Sequence, residues 1–141
     1  MKKKLTVLSC SLFPLLSYAI EPVDFAKEIW PMLKDSCVKC HGPDYKDKRG
    51  RMKKAKAGLR LDSKKAILEG SKEGKVFVAG NADESSLYNL TILPEDHDDV
   101  MPPKGDLLTK EQTELLKRWI NEGAKFGKWT MSEELKNKVK K

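Results

Sequence analysis

The chain has 141 residues, with 28 Lys and Arg against 21 Asp and Glu and a formal net charge of +7. That length suggests one domain, and the mild basic balance, with both signs interspersed, gives no case for nucleic-acid binding. Three cysteines and two histidines are present, so thiol or imidazole chemistry has few places to reside.

Residues 1–19 read as a secretory signal peptide. Lys2, Lys3 and Lys4 form a basic start, Leu5 to Leu16 is mostly apolar, and Ser17-Tyr18-Ala19 places small residues at a cleavage site after Ala19. The apolar stretch is too short and broken to span a bilayer, so no stable membrane insertion is expected after cleavage. Val7-Leu8-Ser9-Cys10 loosely resembles a lipoprotein box, but the apolar run before Cys10 is very short for that role. The chain is therefore expected in the periplasm or otherwise exported. Cleavage removes three lysines and no acid, lowering the net charge to +4, and leaves Cys37 and Cys40 as the cysteines.

Residues 20–129 read as one helical domain and 130–141 as a basic tail. Asp24 is placed to cap a first helix with Phe25, Ile29, Leu33 and Cys37 close to one face, and Pro31 either kinks this helix or starts its second half. Gly42-Pro43 ends it. Residues 44–58 are polar and strongly basic and read as an exposed loop. Asp62 is placed to cap a short helix through Leu68, stopped by Gly70. Val76-Phe77-Val78 suits a brief extended piece. Ser85 or Asp83 is placed to cap a helix carrying Leu87, Leu90 and Leu93. A loop from Glu95 to Gly105 contains His97, Met101, Pro102 and Pro103. Thr109 with Gln112 forms a capping box for the clearest helix, with Leu115, Leu116, Trp119 and Ile120 as its apolar face. Glu114 and Arg118 are spaced to pair on it, and Gly123 stops it.

The chemistry concentrates at Cys37-Val38-Lys39-Cys40-His41. Two thiols three positions apart can each add to one vinyl group of the same porphyrin, and the adjacent histidine then lies beneath the iron; the spacing is the sequence reading of covalent haem attachment. Three other readings compete. A thioredoxin-like redox pair expects a strand–helix–strand setting, and here a helix precedes the cysteines. A zinc site needs four ligands, and Cys37, Cys40, His41 and His97 would exhaust every cysteine and histidine after the signal. A plain disulfide, usual in an oxidising compartment, would be strained at this spacing. For a sixth iron ligand, Met101 in its Met-Pro-Pro loop is favoured over His97, since Met/His is the common electron-transfer pairing and the prolines limit the loop's freedom. Acids surround His97 and suit it to solvent. Met101 as a core filler remains the alternative role.

The order helix, Cys37-Val38-Lys39-Cys40-His41-Gly42-Pro43-Asp44, Gly58-Leu59-Arg60-Leu61-Asp62, Met101-Pro102-Pro103-Lys104-Gly105, then a helix with Trp119-Ile120-Asn121-Glu122-Gly123-Ala124 resembles the class I cytochrome c fold. It is most similar to the cytochrome c domains of planctomycete-type proteins, over about residues 23–127. The resemblance implies an all-α domain around one covalent haem c, first and last helices crossing near it, Met101 on the iron opposite His41, and Arg60 near the propionates. It implies a one-electron carrier with redox proteins as partners. Acidic partners would suit the basic stretch from Lys46 to Lys56, although a solvated loop explains that stretch as well. An enzyme with an open iron site and a haem-based sensor with open or bis-histidine iron stand as alternatives.

Overall fold

The computed structural model describes residues 21–131. The expected signal peptide, with Cys10, and residues 132–141 of the basic tail lie outside the described residues.

Asp24 opens the first helical run as its position predicts. Its carboxylate accepts the backbone N–H groups of Ala26 and Lys27 at 3.0 and 3.2 Å. The first turn, Phe25–Ile29, is wound as a π-helix, closed by the Trp30 N–H on the Phe25 carbonyl. Helix α1 (Trp30–Ser36) then carries Pro31 in its first turn. Proline has no N–H to continue the ladder but suits a helix start, so it begins the second half of the run. Phe25, Ile29 and Leu33 stay buried throughout.

The basic stretch is not an open loop. Tyr45–Lys46 (β1) and Met52–Lys53 (β2) pair antiparallel, Tyr45 opposite Lys53 and Lys46 opposite Met52. Asp47 closes the connection by accepting the N–H groups of Arg49 and Arg51 at 2.9 and 3.0 Å.

Helix α2 (Lys64–Glu69) is capped by Ser63, whose hydroxyl oxygen accepts the Ala66 N–H at 3.3 Å. Asp62, expected in that role, instead grips Arg60. Gly70 ends α2 at φ +86, and a Cβ there would lie 2.2 Å from the Gly74 carbonyl oxygen, so only glycine fits. Asn81 caps a short turn, Ala82–Glu84, and α3 (Ser86–Asn89) follows. The Ser85 hydroxyl donates to the Asn81 carbonyl at 2.7 Å rather than capping α3.

Helix α4 (Lys110–Asn121) has the capping box read from Thr109 and Gln112. Leu116, Trp119 and Ile120 are buried and Leu115 half-buried. Arg118 pairs with Glu122 at 3.1 Å, so the ion pair runs toward the helix C-terminus, not back to Glu114.

Helix α4 packs against the Phe25 turn, and the aromatic rings do most of the filling. The Phe25 ring lies 5.1 Å from Trp119 and 4.6 Å from both Phe126 and Trp129, all tilted. Offset rings at such distances add stabilisation beyond burial alone. Beyond Trp129 the Thr130 carbonyl accepts the Lys64 N–H at 2.8 Å, and Met131 bridges to Ser63.

These elements correct the expectation of an all-α class I cytochrome fold. Helical residues make up 36% of the described chain, in short pieces alongside a two-stranded antiparallel sheet, and that is not an all-α architecture. The cause is the punctuation. Gly70 at φ +86 ends α2 after six residues, and α3 closes after four, at Asn89. No helix among the described residues is long and apolar enough to cross a membrane.

Candidate functional site

The end of α1 unwinds into the Cys-Val-Lys-Cys-His segment. The Leu33 carbonyl accepts both the Cys37 and Val38 N–H groups, and the Cys37 carbonyl accepts those of Cys40 and His41 at 3.1 and 2.9 Å. Both thiols are free, Cys37 half-buried and Cys40 exposed. Burial, with a smaller contribution from neighbouring Cys40, pushes the Cys37 thiol up to about 11. It is therefore un-ionised at neutral pH.

His41 is held on two sides by the segment after the hairpin. Its carbonyl accepts the Leu61 N–H at 2.7 Å, and its Nδ1 lies 3.3 Å from the Leu59 carbonyl oxygen. A carbonyl only accepts, so Nδ1 carries a proton, and in the neutral ring Nε2 then keeps the lone pair. Gly42 lets the chain turn away: a Cβ there would sit 2.5 Å from the Val38 carbonyl oxygen.

Arg60 lies between these two contacts. Its Nε and terminal amino group donate to the two Asp62 carboxylate oxygens at 2.9 and 2.7 Å. Asp62 is fully buried, while the Arg60 side chain is 37% exposed. This two-pronged grip anchors the Leu59–Leu61 backbone that holds His41. Asp62 and Leu59 are thus site residues that the chemistry-bearing motif does not reveal; the sequence signal available was the Arg-x-Asp spacing.

Met101 is placed by a different part of the chain. Its N–H donates to the Leu90 carbonyl at 2.9 Å, at the end of α3, and the Met101–Pro102 peptide bond is cis. Val100 beside it is buried, while Met101 is half-buried, as are Leu90 and Leu93; Ile92 is 50% exposed. His97 is exposed, and its Nδ1 accepts the Asp99 N–H at 3.0 Å. In the neutral ring that arrangement puts the proton on Nε2, the reverse of His41.

These residues suit a haem. The structure offers an imidazole whose Nδ1 is ordered by the Leu59 carbonyl, as metal-bound histidines commonly are, which leaves Nε2 for a metal. Two free thiols stand on the same turn. Incompletely buried apolar side chains lie at the motif (Val38, Leu59) and beside Met101 (Leu90, Ile92), where a flat apolar ring would cover them. Among the described residues no three or more His, Cys, Asp or Glu side chains converge as a ligand set, so the zinc arrangement with His97 is not assembled.

Comparison with known families agrees with this geometry. Residues 37–105, from the first motif cysteine through the Met-Pro-Pro loop, match the family model described as Planctomycete cytochrome C. The match agrees with the resemblance to planctomycete-type cytochrome c domains carried by the motifs in this segment. No curated protein and no solved structure matches the chain.

Proposed function

We propose that the chain is an exported one-electron carrier holding a single covalent haem c. In this reading Cys37 and Cys40 would tether the ring, and His41 through Nε2 and Met101 through its thioether would hold the iron. The haem supplies a one-electron couple. The chain's own residues do the rest. Leu59 holds the His41 ring in the correct tautomer, Arg60 and Asp62 fix the backbone that carries Leu59, and Leu90 fixes Met101. Apolar groups keep water from the metal, which together with axial ligation tunes the potential. If His41 and Met101 both held the iron, no coordination position would be left for substrate, which favours electron transfer over catalysis at the iron.

The observation that carries the reading is the Nδ1 of His41 committed to the Leu59 carbonyl, one residue from Cys40 on a turn with two free thiols. Co-expression with a haem-attachment system tests it. Haem should stay on the polypeptide under denaturing conditions, with a mass increase of one haem, and Cys37→Ala with Cys40→Ala should abolish retention. Haem that extracts fully into acidified organic solvent contradicts the proposal.

A further inference from the structure

Charge is unevenly spread on this chain. Between Asp44 and Lys56 there are seven Lys and Arg against two Asp, a net of five positive, whereas residues 20–141 total only +4. Everything else after Ala19 therefore sums to one negative charge. All seven cations are exposed. The two acids serve the backbone: Asp44 accepts the Ala55 N–H at 3.1 Å, and Asp47 accepts those of Arg49 and Arg51 while pairing with the Arg51 guanidinium at 3.0 Å. The Arg51 N–H, as the largest cause, holds the Asp47 carboxyl below the usual carboxylate range.

This hairpin is tied to the candidate haem turn, not remote from it. The Lys56 N–H donates to the Cys40 carbonyl at 3.0 Å, and β1 begins four residues after His41. It also shows two large apolar side chains to solvent, Tyr45 at 59% and Met52 at 53%. Residues opposed in an antiparallel pair share a face. Tyr45 therefore sits with Lys53 on one face, and Met52 with Lys46 on the other. Each face combines a cation with one apolar group. Such a surface suits a partner that meets it with carboxylates around an apolar contact. A membrane-inserting element would gather its apolar groups on one side, and here they are divided.

We infer that the 44–56 hairpin is the docking surface for an acidic redox protein, which exchanges one electron with the haem at the Cys40 side. The inference rests on the electron-carrier reading above. The exchange balances simply: the partner loses one electron and the haem iron gains it, with no atom or proton transferred.

The test uses the full haem-bearing chain and reduced flavodoxin as the acidic one-electron donor, followed by stopped-flow absorbance. The second-order rate should fall at least about tenfold between about 0.01 M and about 0.3 M ionic strength, because screening shortens the reach of exposed charges. Lys46→Glu, Arg49→Glu and Lys53→Glu together should lower the low-salt rate by about tenfold or more. The charge-matched control Lys27→Glu, Lys65→Glu and Lys110→Glu should change it about twofold or less. Reduction by ascorbate should be alike in all forms, showing an intact haem site. Equal flavodoxin rates for the two triple variants overturn the docking surface. So does hairpin-dependent sedimentation with phosphatidylglycerol vesicles when the flavodoxin rate is hairpin-independent. A preparation that keeps no haem overturns the electron-carrier reading with it, and is recognised on a denaturing haem-stained gel.

Discussion

The Cys37–His41 turn and the Met101 loop reach the same proposed metal by opposite means. His41 is fixed at its N–H, its carbonyl and its ring by Cys37, Leu61 and Leu59, and the segment behind it is locked by the pairing of Arg60 with buried Asp62. Met101 has its N–H on Leu90 and two prolines after it, with its side chain half-exposed. The histidines repeat the contrast: a carbonyl faces the Nδ1 of His41, and an N–H faces the Nδ1 of His97. In the proposed carrier, one side of the site would be organised by the polypeptide before haem attachment, and the other would be completed by a bond to iron.

That asymmetry can be broken deliberately. Met101→Ala should have the largest effect: the weak near-infrared band of a methionine–iron bond should vanish, the potential should fall, and cyanide should bind at neutral pH. Met101→His should keep low-spin iron at a lower potential than the parent. Arg60→Met attacks the prebuilt side by leaving Asp62 buried without its cation. It should destabilise the chain by about 3 kcal/mol in urea unfolding, the low end for a broken buried pair because the guanidinium is partly solvated. The same variant should leave the near-infrared band in place.

The haem-free chain should show the contrast between its two thiols with pH. Iodoacetamide should label exposed Cys40 first, with Cys37 labelling still rising toward pH 11. The folded Cys37 lies above its ordinary value of 9.0, so the fold favours the un-ionised thiol. Its contribution is complete below pH 9 and is lost as pH rises toward about 11, and chemical denaturation across that window checks the sign. Thr109→Ala, which removes the capping box that follows the Met101 loop, should cost about 1 kcal/mol. His97→Ala should change stability by less than about 0.5 kcal/mol and leave the visible spectrum alone.

Local chemistry made some of this legible in the residues. Asp24 and Thr109 were readable as caps because capping needs only one side chain and its own next turn. The thiol–thiol–imidazole spacing was readable because attachment and ligation both occur within five residues. The architecture was not readable in the same way. Apolar spacing placed one helix through Leu87, Leu90 and Leu93, yet α3 stops at Asn89, and the basic segment folded into a ribbon because Asp47 could gather its turn. Asp62 stands next to a helix and has the chemistry of a cap, but a guanidinium two residues back binds it with both oxygens. Arg118 chose Glu122 over Glu114 for a similarly local reason, since both lie one turn away and only side-chain direction separates them.

The proposed axial pair can be tested in a single spectrum. In the proton NMR spectrum of the reduced protein, a methionine methyl bound to iron lies over the porphyrin face, where ring current moves it far upfield. The parent and His97→Ala should both show this three-proton line, and Met101→Ala should lack it. A parent spectrum without the line, or one that loses it in His97→Ala but not in Met101→Ala, would contradict the assignment of His41 and Met101 as the pair that holds the iron.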